Sequence, residues 1–518
     1  MENNTTKSSR LARNTALLYF RMLIIIAVNI YMSRIVLKAL GIDDYGIYNV
    51  IGGAIAMFSI LTSSLSTAIS RYITYTLGKK DLYKLKEVFS TSLIIQIVLA
   101  VFIVLFAEII GNWLLFNYLN IPIERTNAAV WVLHCSIIIF AIRLVGVPYD
   151  ASIIAHERMS AFAYISITEA LLTLFVAILL KFSSGDKLIL YAILLVVVTI
   201  LARLLYTIYC YNKFNECKFS LAFDKGLLKE IAGFAGWNFM GVSANVFNTQ
   251  GINVITNIFF GVRLNAARGI TDQVQSLVMQ FVRNFTMAFN PQITKSYAEN
   301  DNDYLFSLIF KGAKFSYYLM LIFIVPFMFE IETVLSIWLG DYPSYAPLFI
   351  RLSLIANMID FLGNQVAMTV WATGDVRKYY LITTPVSFLV FPVSLLLFYL
   401  GYPAEVSYWV FIIDYMILIP LRLYVLNGLI PEFKPEMFFK NVILVILPTT
   451  LCAFIIPTIL FFVLPQTFLS SILVMIVGVL CTVGSIYIIG MNNNERLFAI
   501  GLLLKFIHKN KGGNYNEI

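Results

Sequence analysis

The chain is poor in charge: Asp, Glu, Lys and Arg make up 13% of its 518 residues, whereas hydrophobic residues make up 60%. Soluble domains carry about 25% charged and about 45–50% apolar residues, so this composition excludes a water-soluble fold and requires lipid around most side chains. The formal net charge of +8 is then explained by Lys and Arg in cytoplasmic loops, and we expect no nucleic acid as a partner.

Patterns for metals, nucleotides and covalent catalysis are also missing from the sequence. Its five cysteines and three histidines show no spacing typical of a metal site, and we predict no disulfide. The patterns GxxxxGKS/T, HExxH and GxSxG do not occur, which removes the usual motifs for nucleotides, zinc and a serine nucleophile. Every loop is shorter than the roughly 50 residues of a soluble domain. We therefore expect no enzyme, no cofactor and no direct use of ATP by this chain.

Long apolar runs dominate what is present. A bilayer core requires about 20 apolar residues per helix, and the sequence contains fourteen such runs. The predicted spans cover residues 14–37, 45–67, 88–114, 128–150, 160–181, 187–211, 231–260, 264–289, 306–331, 345–371, 379–400, 405–427, 440–463 and 467–490. Lys and Arg concentrate in the even-numbered loops and the tail, whereas Asp43 and Asp44 lie in the first loop. Because basic loops stay inside, we expect both termini in the cytoplasm and no cleavable signal peptide.

These spans predict an all-α polytopic membrane protein of about 14 transmembrane helices, with two six-helix bundles and two extra C-terminal helices. When the two halves are set side by side at an offset of 220 residues, Gly41 meets Gly261 and the loops match in length and charge. Internal repeats of this kind are typical of secondary transporters. The expected divisions are an N-terminal bundle at 1–215, a C-terminal bundle at 216–430, the extra helices at 431–490 and a cytoplasmic tail at 491–518.

Four arginines lie about two turns or more inside predicted spans: Arg21, Arg143, Arg203 and Arg283. A charge at the bilayer centre costs about 2.5–3.5 kcal/mol, so such a residue faces protein, water or substrate rather than lipid. A ring of guanidinium groups in the cytoplasmic third would suit an anion, since Arg binds phosphate bidentately and stays charged. Snorkelling of the side chains to the inner headgroups is the alternative.

The eighth span carries a polar stripe with helical spacing, formed by Arg268, Asp272, Gln275, Met279, Arg283 and Asn290. Lipid would not solvate this stripe, so we expect it to line a cavity in which Arg268, Gln275 and Arg283 contact substrate. Asp272 is a candidate for coupling transport to a cation. An ion pair between Arg268 and Asp272 that only holds span 8 to its neighbour is the alternative.

Further polar residues lie inside neighbouring spans. Asn238 and Asn245 in the seventh span can hydrogen-bond sugar hydroxyls or bridge helices, and the sequence does not separate these uses. Asp360 in the tenth span is a second candidate for cation coupling. Glu169 and Asp414 are weaker candidates, because a buried acid more often bridges helices.

Several stretches resemble a known family: LGIDDYGIYNVIGG, IIAHERMSAFAYISI, GWNFMGVSANVFNTQGINVITNIFFG, NAARGITDQVQSLVMQFVRNFTMAFNPQITKSYA, LSIWLGDYP and WATGDVRKY. They resemble the Wzx-type O-antigen and capsule repeat-unit flippases, the polysaccharide branch of the MATE-like MOP superfamily. The resemblance implies two bundles around a central cavity with alternating access. It also implies an undecaprenyl-diphosphate-linked oligosaccharide as substrate, and a charged cavity on spans 1, 2, 7 and 8, where Arg21, Arg268, Asp272 and Arg283 lie.

The expected function is therefore a flippase of the bacterial inner membrane, driven by H⁺ or Na⁺ and working with a polysaccharide polymerase and other assembly proteins. Three alternatives stay open. A lipid II flippase would share the cationic cavity, and a MATE-like drug or cation antiporter would need acidic residues to dominate the cavity. A membrane polymerase or ligase would need a large outer loop with catalytic residues, which the sequence does not contain.

Overall fold

The computed structural model describes residues 2–58, 81–156, 158–218, 243–287, 289–493 and 495–497, with isolated positions at 65–77 and 224–228. This part of the chain is helical and contains no strand, which confirms the all-α class. Eleven of its helices are long and apolar enough to cross a membrane, which confirms a polytopic protein.

Helices follow one another with short connections. Residues 2–287 contain α1 (Glu2–Leu40), α2 (Ile42–Ala56), α3 (Leu82–Asn117), α4 (Thr126–Val145), α5 (Val147–Ala155), α6 (Met159–Leu179), α7 (Lys187–Lys213), α8 (Ile252–Phe260) and α9 (Val262–Met287). Residues 290–485 contain α10 (Asn290–Ala298), α11 (Asn302–Trp338), α12 (Ala346–Thr373), α13 (Arg377–Phe388), α14 (Val390–Tyr399), α15 (Val406–Leu429), α16 (Pro435–Phe438), α17 (Leu444–Val463) and α18 (Phe468–Ser485).

Helix boundaries agree with the hydropathy pattern where local signals are strong. Helix α7 begins one residue after Asp186, whose side chain accepts hydrogen bonds from the backbone N–H groups of Leu188 and Ile189 at 3.0 and 3.2 Å. This cap satisfies two of the backbone donors that a helix start leaves without partners. The predicted span at 187–211 therefore matches the helix closely. The second and seventh predicted spans are only partly within the described residues.

The chain forms two compact units. Unit 1 comprises residues 1–271, 336–346 and 384–407, and unit 2 comprises residues 272–335, 347–383 and 408–518. The predicted divisions at residues 215, 430 and 490 stay predictions.

Unit 1 contains an apolar core in which α2, α3, α4 and α7 meet. Ile47, Val132 and Leu188 are fully or almost fully buried in it. Helix α2 also approaches the start of α9 very closely, because Gly46 lies directly against the backbone carbonyl of Val262 and has no space for a side chain. Small residues allow such close approach between helices in membranes.

The two glycines aligned at the offset of 220 residues adopt the same backbone conformation. Gly41 between α1 and α2 has φ 82° and ψ 173°, and Gly261 between α8 and α9 has φ 80° and ψ −178°. Positive φ at these values favours glycine, since a Cβ would be strained there. Asp43 follows Gly41 by two residues, and Arg263 follows Gly261 by two residues. The Arg263 Nε donates a hydrogen bond to the Asp43 carboxylate at 2.9 Å. The equivalent junctions support the internal repeat.

In unit 2 the long helix α11 binds the two C-terminal helices. The Tyr317 hydroxyl hydrogen-bonds Thr450 of α17 at 2.9 Å, and Gly478 of α18 packs against Pro326. The Lys314 Nζ lies 3.0 Å from a carboxylate oxygen of Glu495, and both side chains are buried. Helices α17 and α18 are therefore an integral part of unit 2.

Candidate functional site

Arg21 lies on α1 and is held against α6 in unit 1. Its Nε donates a hydrogen bond to the Ser166 hydroxyl at 2.5 Å, and its guanidinium lies 4.6 Å from the centre of the Phe162 ring. Within the described residues, it forms no ion pair. A cation fixed by neutral groups keeps its charge available for an anion.

Arg203 and Arg143, the other two arginines predicted inside spans of unit 1, each pair with a carboxylate. Arg203 NH1 of α7 lies 2.9 Å from Asp150 and donates to the Gly146 carbonyl at 3.1 Å, which ties α7 to α5. Arg143 on α4 lies 3.5 Å from the Glu169 carboxylate on α6, a loose pair, and its side chain is 62% exposed. Arg203 is thus a helix-bridging residue, whereas Arg143 can still reach other groups.

Helix α9 turns a polar face outward between residues 272 and 283. Asp272, Ser276 and Arg283 are exposed, whereas the apolar residues Val274, Val278 and Val282 are buried. Gln275 and Met279 are half-buried beside the polar face, with a Gln275 Nε2 to Met279 Sδ distance of 3.4 Å. The burial pattern of this helix is that of a protein in water, although it lies among apolar spans. Helix α9 is also not among the eleven apolar spans of the described chain.

The remaining residues of the predicted site have different surroundings. Arg268 is buried in unit 1, Asn245 is exposed, and Asn238 lies outside the described residues. Asp360 on α12 accepts a hydrogen bond from Arg422 NH2 at 2.8 Å, so this acid is held by a cation. Asp414 on α15 is buried.

A ladder of asparagines connects α2, α8 and α9. The sequence placed Asn253 and Asn257 in the polar run of the seventh span, with helix bridging as one possible use, but it did not identify their partners Asn49 and Asn265. Asn265 donates to the backbone carbonyl and to the side chain of Asn253 at 2.8 and 2.7 Å, and Asn257 donates to Asn265 at 2.9 Å. Asn253 donates in turn to the Asn49 carbonyl at 3.1 Å. The side-chain amides of Asn253 and Asn257, in the seventh predicted span, therefore bridge helices. The run of polar residues in that span was the sequence signal for such contacts.

Arg125 is a second feature that sequence reasoning missed. It lies at the start of α4 and binds the carboxylates of Asp44 and Asp186, each at 2.6 Å. The hydrogen bond from Arg125 lowers the pKa of Asp186 below its ordinary value. This network connects the first turn of α2 to the start of α7 and has a structural role.

A cavity of about 290 Å³ lies inside unit 1, between α1, α2, α4, α6 and α7. Its wall contains the pair Arg143 and Glu169, and the tyrosines Tyr48 and Tyr191, whose ring centres are 5.3 Å apart. The structure thus places two predicted residues, Arg21 and Arg143, against the same helix α6. It stays a prediction that Arg21, Arg143 and the polar face of α9 line one central cavity.

Solved structures with this fold are transporters and a flippase. An inward-facing multidrug resistance MATE family transporter of the MOP superfamily superposes with a TM-score of 0.68 at 13% identity, over 80% of this chain and 98% of its own. The fold is MATE-like. Lipid II flippase MurJ in an inward closed conformation also gives a TM-score of 0.68 at 13% identity, over 92% of this chain and 98% of its own. No sequence family matches the chain, and no curated protein does. At this identity, the MATE-like fold is what the chain shares with these proteins.

Proposed function

We propose that this chain is a flippase that moves undecaprenyl-diphosphate-linked oligosaccharide repeat units across the bacterial inner membrane, for the synthesis of O-antigen, capsule or another surface glycan. The observation that carries the proposal is the open polar face of α9, on which Asp272 and Arg283 are exposed. Lipid cannot solvate these groups, so they imply a water-filled path through the membrane part of the protein. Such a path fits a polar headgroup whose lipid tail stays in the bilayer.

The charge of the available groups supports an anionic substrate. Within the described residues, Arg21 and Arg283 form no ion pair, whereas Asp360 pairs with Arg422. A diphosphate would bind to either arginine through charge-assisted hydrogen bonds, each contributing about 1.5–3 kcal/mol. A pump for cationic drugs would need acidic residues to dominate the cavity, whereas on the polar face of α9 the exposed Asp272 is accompanied by the exposed Arg283.

Alternating access driven by a proton or sodium gradient would reset the protein. Asp272 is one coupling candidate, and it is exposed on the polar face of α9. Asp360 is held at 2.8 Å by Arg422, and a cation would have to displace that guanidinium. Both termini in the cytoplasm, and a polysaccharide polymerase as a partner in assembly, complete the proposal.

A lipid II flippase is the second candidate function, since MurJ shares the fold over 92% of this chain. Both substrates carry a diphosphate on a long isoprenoid lipid, so the arginines would serve either. The two candidates differ in which glycan accumulates when the protein is lost.

The test is the sidedness of lipid-linked glycans in cells that lack the chain. We expect repeat units to accumulate on the inner leaflet while lipid II is unaffected. Accumulation of lipid II alone would select the second candidate, and unchanged sidedness of both would overturn the flippase proposal.

Arginine variants sharpen this test. Replacing Arg21 or Arg283 with Ala should reduce flipping by roughly ten- to a hundredfold, the equivalent of one lost charge-assisted hydrogen bond. Lys at either position should restore part of the activity, because it keeps the charge and loses the bidentate geometry. Arg158→Ala is the matched control, since Arg158 is exposed at the start of α6. Full activity of the Arg21→Ala and Arg283→Ala variants would show that both arginines only snorkel.

A further inference from the structure

The volume of the cavity in unit 1 limits which ligands it can bind. At about 290 Å³, the cavity is many times larger than the roughly 10–15 Å³ that one buried water needs. This space is far larger than the site of a single cation, and it lies at the lower limit of small-molecule pockets, which span about 300–1,000 Å³. It therefore has room for one small ring.

The wall of the cavity combines hydrogen-bonding groups of both kinds with apolar surface. Thr173 and Thr199 donate their hydroxyl protons to backbone carbonyls at 2.8 and 2.9 Å, which leaves each hydroxyl oxygen as an acceptor toward the cavity. The Arg143 guanidinium supplies donors. Phe140 and Leu195 add apolar surface. A sugar ring presents the matching set, because each hydroxyl both donates and accepts while the C–H groups are apolar.

The net charge of the wall argues for a neutral ligand. Arg143 and Glu169 lie 3.5 Å apart and neutralise each other. A free anion would meet the Glu169 carboxylate, and a free cation would meet the guanidinium. A polyol can instead bind both groups, since a hydroxyl donates to the carboxylate and accepts from the arginine.

The cavity lies next to the proposed diphosphate contact. Arg21 is fixed on Ser166, and the cavity residues Glu169 and Thr173 follow on the same face of α6. Three residues along a helix correspond to about 4.5 Å. In a diphosphate-linked glycan, the first sugar is bonded directly to the phosphate, so the two groups must bind within about one helical turn of each other.

We propose that this cavity is the subsite for the first sugar ring of the substrate, the ring that is bonded to the diphosphate. The inference rests on the proposed flippase function and adds to it a position for the sugar, in the interior of unit 1. Arg21 then binds the phosphate, and the cavity between α2, α4, α6 and α7 selects the ring.

Two glycines allow a matched test. Gly52 lines the cavity, and a Cβ added there would meet no atom within 4 Å, so Gly52→Leu fills the cavity without a backbone clash. A Cβ added at Gly484 on α18 would also meet no atom within 4 Å, so Gly484→Leu is the control for the same change in another helix. Thr199→Val removes one acceptor at nearly constant shape. Its control is Thr168→Val, because Thr168 makes the same bond to a carbonyl on the exposed face of α6.

The measurement is the affinity of the full-length protein in lipid nanodiscs for two kinds of soluble probe. The first is farnesyl diphosphate, and the second is farnesyl diphosphate that carries a single hexose or N-acetylhexosamine. We expect at least one sugar-bearing probe to bind the wild type about tenfold or more tightly than the bare diphosphate. Gly52→Leu should abolish this ratio, and Thr199→Val should reduce it several-fold. Both variants should bind the bare probe with unchanged affinity, as should the two controls.

The possible results distinguish a failure of the sugar subsite from a failure of the proposed flippase function. If the bare probe binds, depends on Arg21, and shows the same sugar ratio in the wild type and in Gly52→Leu, the subsite is wrong and the flippase proposal stands. If the wild type shows no preference for any sugar-bearing probe, the subsite is likewise wrong and the flippase proposal stands. If no diphosphate probe binds, or if Arg21→Ala binds it as well as the wild type does, the proposed function fails first.

Discussion

The buried ion pair between Lys314 and Glu495 offers a quantitative test of how the C-terminal helices are held. The Lys314 Nζ lies 3.0 Å from a Glu495 oxygen, and the two side chains are 7% and 4% exposed. Glu495 also accepts a hydrogen bond from the Asn492 N–H at 2.9 Å. Because removing one partner leaves the other charge buried and unpaired, Lys314→Met or Glu495→Gln should lower the free energy of unfolding by about 3–5 kcal/mol.

The double variant decides whether this loss comes from the pair. With both charges removed, Lys314→Met with Glu495→Gln should recover most of the stability, which gives a coupling energy above about 2 kcal/mol in the mutant cycle. The control is Lys295→Met, because Lys295 pairs with Glu299 at 3.7 Å with side chains 74% and 61% exposed. Exposed pairs contribute about 0–1 kcal/mol. Denaturant titration of the purified full-length protein in mixed micelles measures all four variants, and a loss of stability for Lys314→Met or Glu495→Gln no larger than that for Lys295→Met would refute the buried arrangement.

Three further predictions concern unit 1. Gly46→Ala should lower the thermal midpoint strongly, since its Cβ would overlap the Val262 carbonyl, whereas Gly52→Ala should have little effect. Asn265→Ala removes three hydrogen bonds and should cost about 2 kcal/mol at about 0.6 kcal/mol each; wild-type stability would contradict the ladder. Asp186 has a lowered pKa because an arginine binds it, so its stabilisation is present above about pH 4 and is lost as pH falls further. The thermal midpoint of Asp186→Asn should therefore lie below that of the wild type at pH 7 and approach it at pH 3.

The sequence predicted the helices well because hydropathy depends on local composition. A run of about 20 apolar residues has only one stable arrangement in a bilayer, so length alone predicts a span. Helix α12 (Ala346–Thr373) matches the predicted span at 345–371 for this reason. Helix α9 could also be found, because the residues around it are apolar and its own polar stripe has helical spacing.

Partners of the charged residues could not be predicted in the same way. Arg203 and Asp150 are 53 residues apart in the chain, and Arg422 and Asp360 are 62 residues apart. Which buried charges pair with each other depends on how the helices pack, and no local sequence pattern carries that information. The sequence could therefore indicate that Arg21 and Arg203 are costly inside a span, but not that Arg203 pairs with a carboxylate, whereas Arg21 is held by a hydroxyl and a ring.

The internal repeat explains why unlike residues occupy equivalent positions at the contact between α2 and α9. Gly41 and Gly261 share one backbone conformation, which two related helical pairs require at the same joint. The residues that follow them, Asp43 and Arg263, have opposite charges and bind each other at 2.9 Å. Identical residues at these positions would repel, so the two halves must differ there if they are to touch. Divergence at the contact and identity at the joint are therefore both expected if the predicted bundles arose by duplication.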